Sequence, residues 1–260
     1  MELKLAGIAL QVKTPHIEKL RPLLREYISE PESVEAALTE VTSIDVPLIE
    51  APLIEVSEQD VVAQKEQSYK VFAEREEDPP SNELEYEFVA LYKKVLNYLI
   101  EHKVIYLHGS LISINGNGYL FMAPSGIGKS THVRLWKERY GDQVTVINDD
   151  KPVVNVNGGV RAYGTPWNGK HRLGCNSEVP LKGIVRLRRG LTNKIEELDK
   201  REALKLLYIH TLHFDDVCKM KLMLEVIGSI VEKVRFYDLQ CNMEPEAAEV
   251  AYEKLINSHD

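Results

Sequence analysis

Residues 123–130 read APSGIGKS and have the residue types to bind phosphate. They match the G-x-x-x-x-G-K-[ST] loop except that Ala123 replaces the first glycine. Such a loop curls its backbone N–H groups around phosphate oxygens at the start of a helix. Lys129 would neutralise β- and γ-phosphate charge, and the Ser130 hydroxyl would ligate Mg²⁺. Alanine at the first position still allows a tight turn where the backbone keeps a negative φ.

The flanks of this loop support the same interpretation. The apolar run at 119–122 is typical of a buried strand, and residues 131–140 have helical character. Chance matches to the pattern are common, but a match between a strand and a helix is much rarer. The sequence therefore favours nucleotide binding over a structural glycine-rich turn. The loop residues expected to contact the nucleotide are Pro124, Ser125, Gly126, Ile127, Gly128, Lys129, Ser130 and Thr131.

A pair of carboxylates follows the next predicted strand. Val144–Ile147 reads as that strand, and it ends at Asn148, Asp149 and Asp150. Nucleotide-binding enzymes with such a loop take a carboxylate from the end of a neighbouring strand to hold Mg²⁺. One aspartate could hold the metal while the other accepts the proton of an attacking hydroxyl. The structural alternative is an Asn-Asp-Asp turn that merely ends the strand.

His108 stands in a His-Gly-Ser segment directly after another short apolar run, 105–107. A single histidine in such a place is often a packed core or turn residue. Its charge near neutral pH would also let it tune a carboxylate. The residues alone leave both alternatives open.

Residues 163–171 read YGTPWNGKH and are predicted to form a loop, because they include two glycines and a proline. The loop carries an aromatic side chain, Trp167, and the cations Lys170 and His171. We expect Lys170 and His171 to lie near the γ-phosphate or an anionic group of the acceptor, with Trp167 shielding the site. The alternative is a surface turn with Trp167 partly buried.

Composition limits the class of protein. The 260 residues carry a formal net charge of −8, which argues against a general nucleic-acid or membrane-surface role. The first residues open an alternating strand and no apolar run approaches the length of a membrane span, so neither a signal peptide nor a membrane anchor is expected. Cys175, Cys218 and Cys241 are odd in number and far apart, which predicts reduced thiols in the cytoplasm.

The chain is predicted to be an α/β protein with two regions. Residues 1–80 form a smaller α+β region that could select substrate, and residues 81–260 form the catalytic domain. The charged segment at 74–82 contains a Pro-Pro pair and is the linker candidate. The catalytic domain is expected to have a mixed sheet decorated by hairpins.

Several elements follow from the pattern of apolar residues. Strands are predicted at 2–12 (one edge strand), 44–56 (short pieces), 104–114 and 234–239. Hairpins are predicted around the turns at 115–118 and 157–159, and a third from 183–187 and 193–198. Helices are predicted at 16–29, 83–102, 201–212, 216–233 and 245–256.

Together these residues resemble the catalytic domain of HPr kinase/phosphorylase, and more closely its small lone-kinase relatives such as the lasso-peptide kinases. The resemblance is carried by HGS at 108–110, NGNG at 115–118, the loop at 123–130 and NDD at 148–150. It covers roughly residue 104 to the end. More distantly, the chain looks like the nucleotide-binding part of phosphoenolpyruvate carboxykinase.

The resemblance implies roles for the motif residues. Lys129 contacts phosphate, Ser130 and one aspartate bind Mg²⁺, the other aspartate is the base, and His108 supports it. Which aspartate has which role stays open; we favour Asp149 for the metal and Asp150 for the base. Thr131 stands where the HPr enzymes commonly have Glu, and the Leu-Glu-x-Arg-Gly signature of the bifunctional enzymes is missing from the sequence. The phosphorylase activity and HPr as substrate are therefore not implied.

The function expected from the sequence is an ATP- and Mg²⁺-dependent kinase that phosphorylates a hydroxyl. The preferred acceptor is a serine of a peptide or small protein, and a small hydroxylated metabolite is the second option. The rival is a regulatory or accessory protein that binds a nucleotide without transferring phosphate. The sequence leaves open the acceptor, the phosphate donor (ATP, GTP or pyrophosphate) and whether the chain forms a homo-oligomer.

Overall fold

A computed structural model describes residues 1–29, 51–74 and 77–256. The chain divides into two compact units, Met1–Val95 and Leu96–Asp260. The domain boundary predicted between residues 80 and 81 stays a prediction. Within the described ranges, no helix combines the length and apolar character that a membrane span requires.

The first unit begins with a hairpin. Strands β1 (Glu2–Leu5) and β2 (Ile8–Lys13) pair antiparallel around a turn in which Ala6 and Gly7 both have positive φ. The single edge strand predicted at 2–12 is therefore wrong, because the alternation of polar and apolar residues continues through a two-residue turn. A short strand, β3 (Leu53–Glu55), pairs parallel to β2. This confirms part of the irregular strand region predicted at 44–56, of which 44–50 lie outside the described residues.

Three helices lie within residues 17–99, and one of them was not predicted. Helix α1 (Ile17–Leu24) continues into a 3₁₀ turn, and α3 (Glu83–Leu99) ends in another at Ile100–His102. Both match the predicted helices. Helix α2 (Glu58–Glu74) was missed because Gln64 is its only fully buried residue, so its sequence has no apolar stripe. Residues 77–82 of the predicted linker lie between α2 and α3; residues 75 and 76 lie outside the described part.

The second unit is a large mixed sheet covered by helices. Its strands are β4 (Val104–Tyr106), β5 (Ser110–Ile114), β6 (Asn117–Met122), β7 (Val144–Asn148), β8 (Val153–Asn155), β9 (Arg161–Tyr163), β10 (Glu178–Arg189), β11 (Lys194–Glu197) and β12 (Arg235–Cys241). Its helices are α4 (Lys129–Tyr140), α5 (Lys200–Ile209), α6 (Val217–Lys233) and α7 (Glu246–Leu255). The predicted mixed α/β class is confirmed at this level.

Three parallel strands form the centre of this sheet. Strand β10 pairs parallel to β6 on one side and to β12 on the other, so all three end at the same edge. Strands β5 and β7 extend the sheet antiparallel beyond β6, and β11 extends it beyond β12. The first residues of β10 pair with β9, which joins β8 and β4 in an antiparallel wing.

Two predicted hairpins are confirmed and the third is wrong. Strands β5 and β6 turn at Asn115–Gly116, both with positive φ, and β8 pairs with β9. The third hairpin would join β10 to β11, but β12 lies between these two strands and pairs with both. Their closeness in sequence suggested direct pairing, whereas the interposed strand comes from about 40 residues later in the chain.

The sheet separates two apolar clusters, which explains its unbroken apolar strands. Along β6, Leu120 and Met122 face a cluster covered by α5 and α6, while Phe121 faces a cluster covered by α4 and α7. A strand covered on both faces reads as a continuous apolar run, as residues 119–122 do. This three-layer packing fixes the strand ends from which the candidate site is built.

Candidate phosphate-binding site

The loop at 123–130 joins the end of β6 to the start of α4, as the sequence predicts. Gly126 and Gly128 have φ of +78° and +124°, and a Cβ on either would meet no atom within 4 Å. Backbone conformation, not lack of space, therefore requires glycine at both positions. Ala123 is fully buried in the apolar core and does not have a positive φ, which explains why alanine is tolerated there.

Lys129, the first residue of α4, folds back over the loop. Its Nζ donates a hydrogen bond of 2.8 Å to the Ala123 carbonyl. Burial lowers the pKa of Lys129, and the negative charge of Asp150 acts in the opposite direction. The ammonium group therefore lies at the mouth of the loop within the electrostatic reach of Asp150.

Asn148 turns the chain at the end of β7 and orients the aspartates that follow it. Its Oδ1 accepts from the backbone N–H groups of Asp150 and Lys151 at 2.9 and 2.6 Å. Its Nδ2 donates to the carbonyl and hydroxyl of Thr165 at 3.0 and 3.2 Å. Residues 148–150 therefore do form the turn that the sequence analysis gave as the structural alternative. It directs Asp149 and Asp150 into different surroundings.

Asp150 is the aspartate that contacts His108 and whose charge acts on the pKa of Lys129. Its Oδ1 lies 3.3 Å from His108 Nε2, and its Oδ2 accepts a short hydrogen bond from Lys151 Nζ. Burial alone would raise the pKa of Asp150, but the hydrogen bond from His108 and the charge of Lys151 lower it to about 2. Asp150 is therefore ionised at neutral pH, and its carboxylate is held by the Lys151 ammonium and the His108 ring.

Asp149 is buried and tied to the loop at 163–171. Its Oδ1 accepts the backbone N–H of Gly169 at 2.7 Å, and its backbone carbonyl accepts the Ser110 hydroxyl at 3.0 Å. The predicted loop therefore reaches the acid pair. Lys170 and His171 follow Gly169 directly and are exposed. Their approach to phosphate or acceptor stays a prediction.

His108 is positioned by a close approach of strands. A Cβ on the next residue, Gly109, would lie 2.8 Å from both the Leu120 side chain and the Phe121 carbonyl oxygen, so only glycine fits. The Gly109 N–H donates to the Asp150 carbonyl at 3.1 Å. Both the His108 side chain and the backbone of the next residue, Gly109, are therefore bound to Asp150.

His210 is a member of this cluster that the sequence did not reveal. Its carbonyl accepts the His108 N–H at 2.8 Å, and the two imidazole rings are 5.8 Å apart. Burial and the positive charges of His108 and Lys129 lower the pKa of His210 to about 4. It stands at the end of α5, far in sequence from any motif, so only the tertiary fold shows its place beside His108.

The oxygen donors predicted for Mg²⁺ are a hydroxyl and a carboxylate, Ser130 and Asp149. Magnesium prefers hard oxygen ligands and often takes only one or two from protein, with phosphates and water completing its shell. These residues therefore fit the ion chemically. The part of the chain that the structure describes contains no group of three or more His, Cys, Asp or Glu residues that could hold a metal by themselves.

A cavity of about 380 Å³ lies beside the loop, at the carboxyl ends of β10 and β12. It is lined by Gly126, Ile127, Gly128, Thr131, His132, Leu187, Arg188, Arg189, Gly190, Cys241, Asn242 and Met243. The Arg189 guanidinium donates to the carbonyls of Gly126 and Ile127 and so ties the end of β10 to the loop. Ligands of open α/β sheets commonly bind at this edge.

Comparison with known proteins leaves the family open. No protein-family model matches the chain, and no curated protein matches it. A solved structure that it matches is the Hpr(Ser) kinase/phosphatase from Coxiella burnetii, at 11% identity and a TM-score of 0.34. The match covers 59% of this chain and 95% of that one. A TM-score this low does not establish a shared fold, so the function of this chain follows from its own residues.

Proposed function

We propose that the chain is an ATP- and Mg²⁺-dependent phosphotransferase that phosphorylates a hydroxyl group. One observation supports this most strongly: the lysine of the loop lies within electrostatic reach of Asp150, which His108 contacts. A cation at the loop and an ionised carboxylate that can receive a proton thus lie close enough to interact electrostatically. These are the two groups that transfer to an alcohol requires.

In this proposal the loop N–H groups and Lys129 hold the β- and γ-phosphates. Mg²⁺, held through Ser130 and Asp149, would neutralise further charge on the triphosphate. A bond forms between the acceptor oxygen and the γ-phosphorus, and the bond from that phosphorus to the bridging oxygen breaks, releasing ADP. The hydroxyl proton passes to Asp150.

The low pKa of Asp150 limits its strength as a base. Lys151 and His108 both stabilise the ionised form, so Asp150 orients the hydroxyl and receives its proton late in the transfer. Most of the acceleration then comes from positioning and charge stabilisation, as is usual for phosphoryl transfer.

The preferred acceptor is a serine of a peptide or small protein, and a small hydroxylated metabolite is the second option. Lys170 and His171 are candidates to contact the γ-phosphate or an anionic group of the acceptor. They are exposed and follow the residue whose N–H binds Asp149. Residues 1–80 are the candidate region for selecting the acceptor.

The rival function is nucleotide binding without transfer, in a regulatory or accessory protein. Such a protein needs Lys129 and Ser130 but has no need of Asp150 held against His108. The experiment is turnover of ATP labelled at the γ-phosphate, with a panel of serine peptides and hydroxylated metabolites. We expect label in an acceptor with the wild type and its loss in Asp150→Asn. Tight binding of MgATP with no transfer across the panel would favour the rival.

A further inference from the structure

We propose that the cleft at the amino ends of β6, β10 and β12 is a docking site for an acidic peptide segment of a partner protein, one that carries apolar side chains among its carboxylates. This cleft lies at the opposite edge of the sheet from the phosphate loop. Such binding goes beyond the proposed function and does not require it.

The cleft has a volume of about 900 Å³ and is built within the second unit. The turns at 115–117 and 158–160, the first half of β10, the start of β12 and the end of α7 line it. Lys182 lies on the same strand as Arg189, whose guanidinium contacts the phosphate loop, and at about 3.3 Å per residue the two are roughly 20 Å apart. A segment bound in the cleft would therefore leave the loop accessible.

Positive charge is concentrated in the cleft. Its lining residues in the described part of the chain include four cations and no acidic side chain; the cations are Arg161, Lys182, Lys233 and Arg235. The chain as a whole carries a net charge of −8, so this surface differs in sign from the rest. A cleft lined by one sign of charge focuses the electric field and attracts the opposite sign. The cleft therefore favours an anionic partner.

Two of the four cations are available to that partner. Arg161 is paired with Glu178 at 2.9 Å, and Arg235 is hydrogen-bonded to the Tyr237 side chain. Lys182 and Lys233 are exposed, and neither has an ion pair within the described ranges of the chain. Their charges are thus not neutralised by this protein.

Lys182 stands at an irregularity in β10. The parallel pairing of β10 with β6 shifts register between Leu181 and Gly183, which leaves Lys182 without a partner residue on β6. Such bulges are typical of places where a strand re-aims a side chain. Leu181 and Gly183 are buried, whereas Lys182 between them is exposed and lines the cleft. The bulge gives a local reason for a lysine in an otherwise apolar part of this strand.

Apolar side chains form the rest of the wall, and they decide the kind of anion. They are Val160, Pro180, Leu181, Leu255 and Ile256, of which Val160, Pro180 and Ile256 are partly exposed. Inorganic phosphate or a small phosphorylated molecule would use the cations and leave this surface in water. A peptide with both carboxylates and apolar side chains would pair with the lysines and also bury apolar area. The mixed wall therefore favours an acidic peptide.

The test uses the full-length chain and peptides as probes. An array of short immobilised peptides, varied independently in the number and spacing of Glu and Leu, would be probed with the labelled protein. The tightest binder is then synthesised in three forms: unchanged, with Gln in place of every Glu, and with Ser in place of every Leu. Fluorescence anisotropy measures their affinities at low and at physiological salt. We expect only the unchanged form to bind well, and its affinity to fall as salt rises.

Removal of single cations tests whether the peptide binds in the cleft. Lys182→Gln and Lys233→Gln should each weaken binding of the unchanged peptide about two- to fivefold, the usual worth of one exposed ion pair. The matched control is Lys221→Gln, an exposed lysine of α6 outside the cleft lining, which should leave the affinity unchanged. All three variants should keep the melting temperature and the ATP affinity of the wild type.

Three results would overturn the proposal. An array without any bound peptide would exclude a peptide site. Equal affinity for the form with Ser in place of Leu would indicate a site for anions alone, such as a phosphorylated small molecule. Lys182→Gln and Lys233→Gln that bind the peptide as Lys221→Gln does would place the binding outside the cleft.

Discussion

His108 Nε2 lies 3.3 Å from Asp150 Oδ1, and the backbone N–H of the same histidine donates to the His210 carbonyl. His108 therefore connects the carboxylate of the acid pair to the end of α5. Lys129 belongs to the same electrostatic environment. The charge of Asp150 acts to raise the pKa of Lys129, and the charge of Lys129 lowers the pKa of His210. Four residues from four distant parts of the chain, Lys129, Asp150, His108 and the neutral His210, thus form one electrostatically linked cluster beside the loop.

The first prediction concerns Lys129→Ala. It should abolish nucleotide-dependent activity and leave the fold intact, because the one hydrogen bond of its ammonium group within the described part of the chain is to the Ala123 carbonyl. Thermal melting and ATP titration of the variant are the measurements. Nucleotide affinity and turnover equal to those of the wild type would remove the basis for the phosphate site.

The acid pair should separate into two phenotypes. Asp150→Asn should still bind Mg-nucleotide but transfer phosphate about 10²- to 10⁴-fold more slowly, the usual cost of removing a base. Asp149→Asn should instead weaken the dependence on Mg²⁺. Single-turnover rates over a range of Mg²⁺ concentrations measure both effects.

Each of the two variants is the control for the other, because both lose one negative charge and differ only in which carboxylate is replaced. If both variants keep wild-type turnover, the pair is only a structural turn. If the two phenotypes are exchanged, the division of roles is reversed while the mechanism stands.

The loop at 163–171 should act on the acceptor more than on the nucleotide. Lys170→Ala is expected to raise the acceptor KM or lower kcat with little change in nucleotide affinity. Trp167 is buried in this loop, so its fluorescence should respond when nucleotide or acceptor binds. Steady-state kinetics and fluorescence titration test this, with Trp136→Phe to remove the other indole. Unchanged kinetics in Lys170→Ala would exclude a role for this lysine.

Stability should fall in mild acid because of His210. Its pKa is about 4 in the folded chain and near 6.5 when unfolded, so between these values the unfolded state binds the extra proton. The His210 contribution is complete above about pH 6.5 and is lost as pH falls toward 4. The free energy of unfolding changes by at most about 1.4 kcal/mol per pH unit because of this one group.

The variant His210→Gln tests the direction of this pH dependence of stability. Chemical denaturation at pH 4.5, 5.5 and 7 should show a smaller pH dependence in the variant than in the wild type, by about one proton. His132 also has a pKa lowered by burial, to about 3, so some acid dependence should remain in the variant. Identical pH dependence of variant and wild type would contradict the buried, neutral state of His210.

Local signals in the sequence were enough for the loop, its flanking strand and helix, and the two hairpins at Asn-Gly and Gly-Gly turns. Each of these depends on residues close together in the chain, where turn chemistry and apolar runs decide the structure. The acid pair was found for the same reason, since it directly follows β7.

Nonlocal features could not be predicted in this way. The insertion of β12 between β10 and β11 is a parallel crossover, and nothing in residues 183–198 indicates it. His210 joins the cluster only because α5 packs on the face that holds Leu120 and Met122. The role of Asn148 was likewise hidden, because its partner Thr165 lies in a loop with no sequence signal for pairing.

The most direct test is a crystal structure with Mg²⁺ and a non-hydrolysable ATP analogue. We expect the β- and γ-phosphates inside the loop at 123–130, with Lys129 Nζ moved from the Ala123 carbonyl to a phosphate oxygen. Mg²⁺ should contact Ser130 and Asp149, and the Asp150 carboxylate should face the γ-phosphorus on the side away from the bridging oxygen. A nucleotide bound elsewhere, or Asp150 turned away from the γ-phosphate with the loop occupied, would contradict the proposed phosphotransfer.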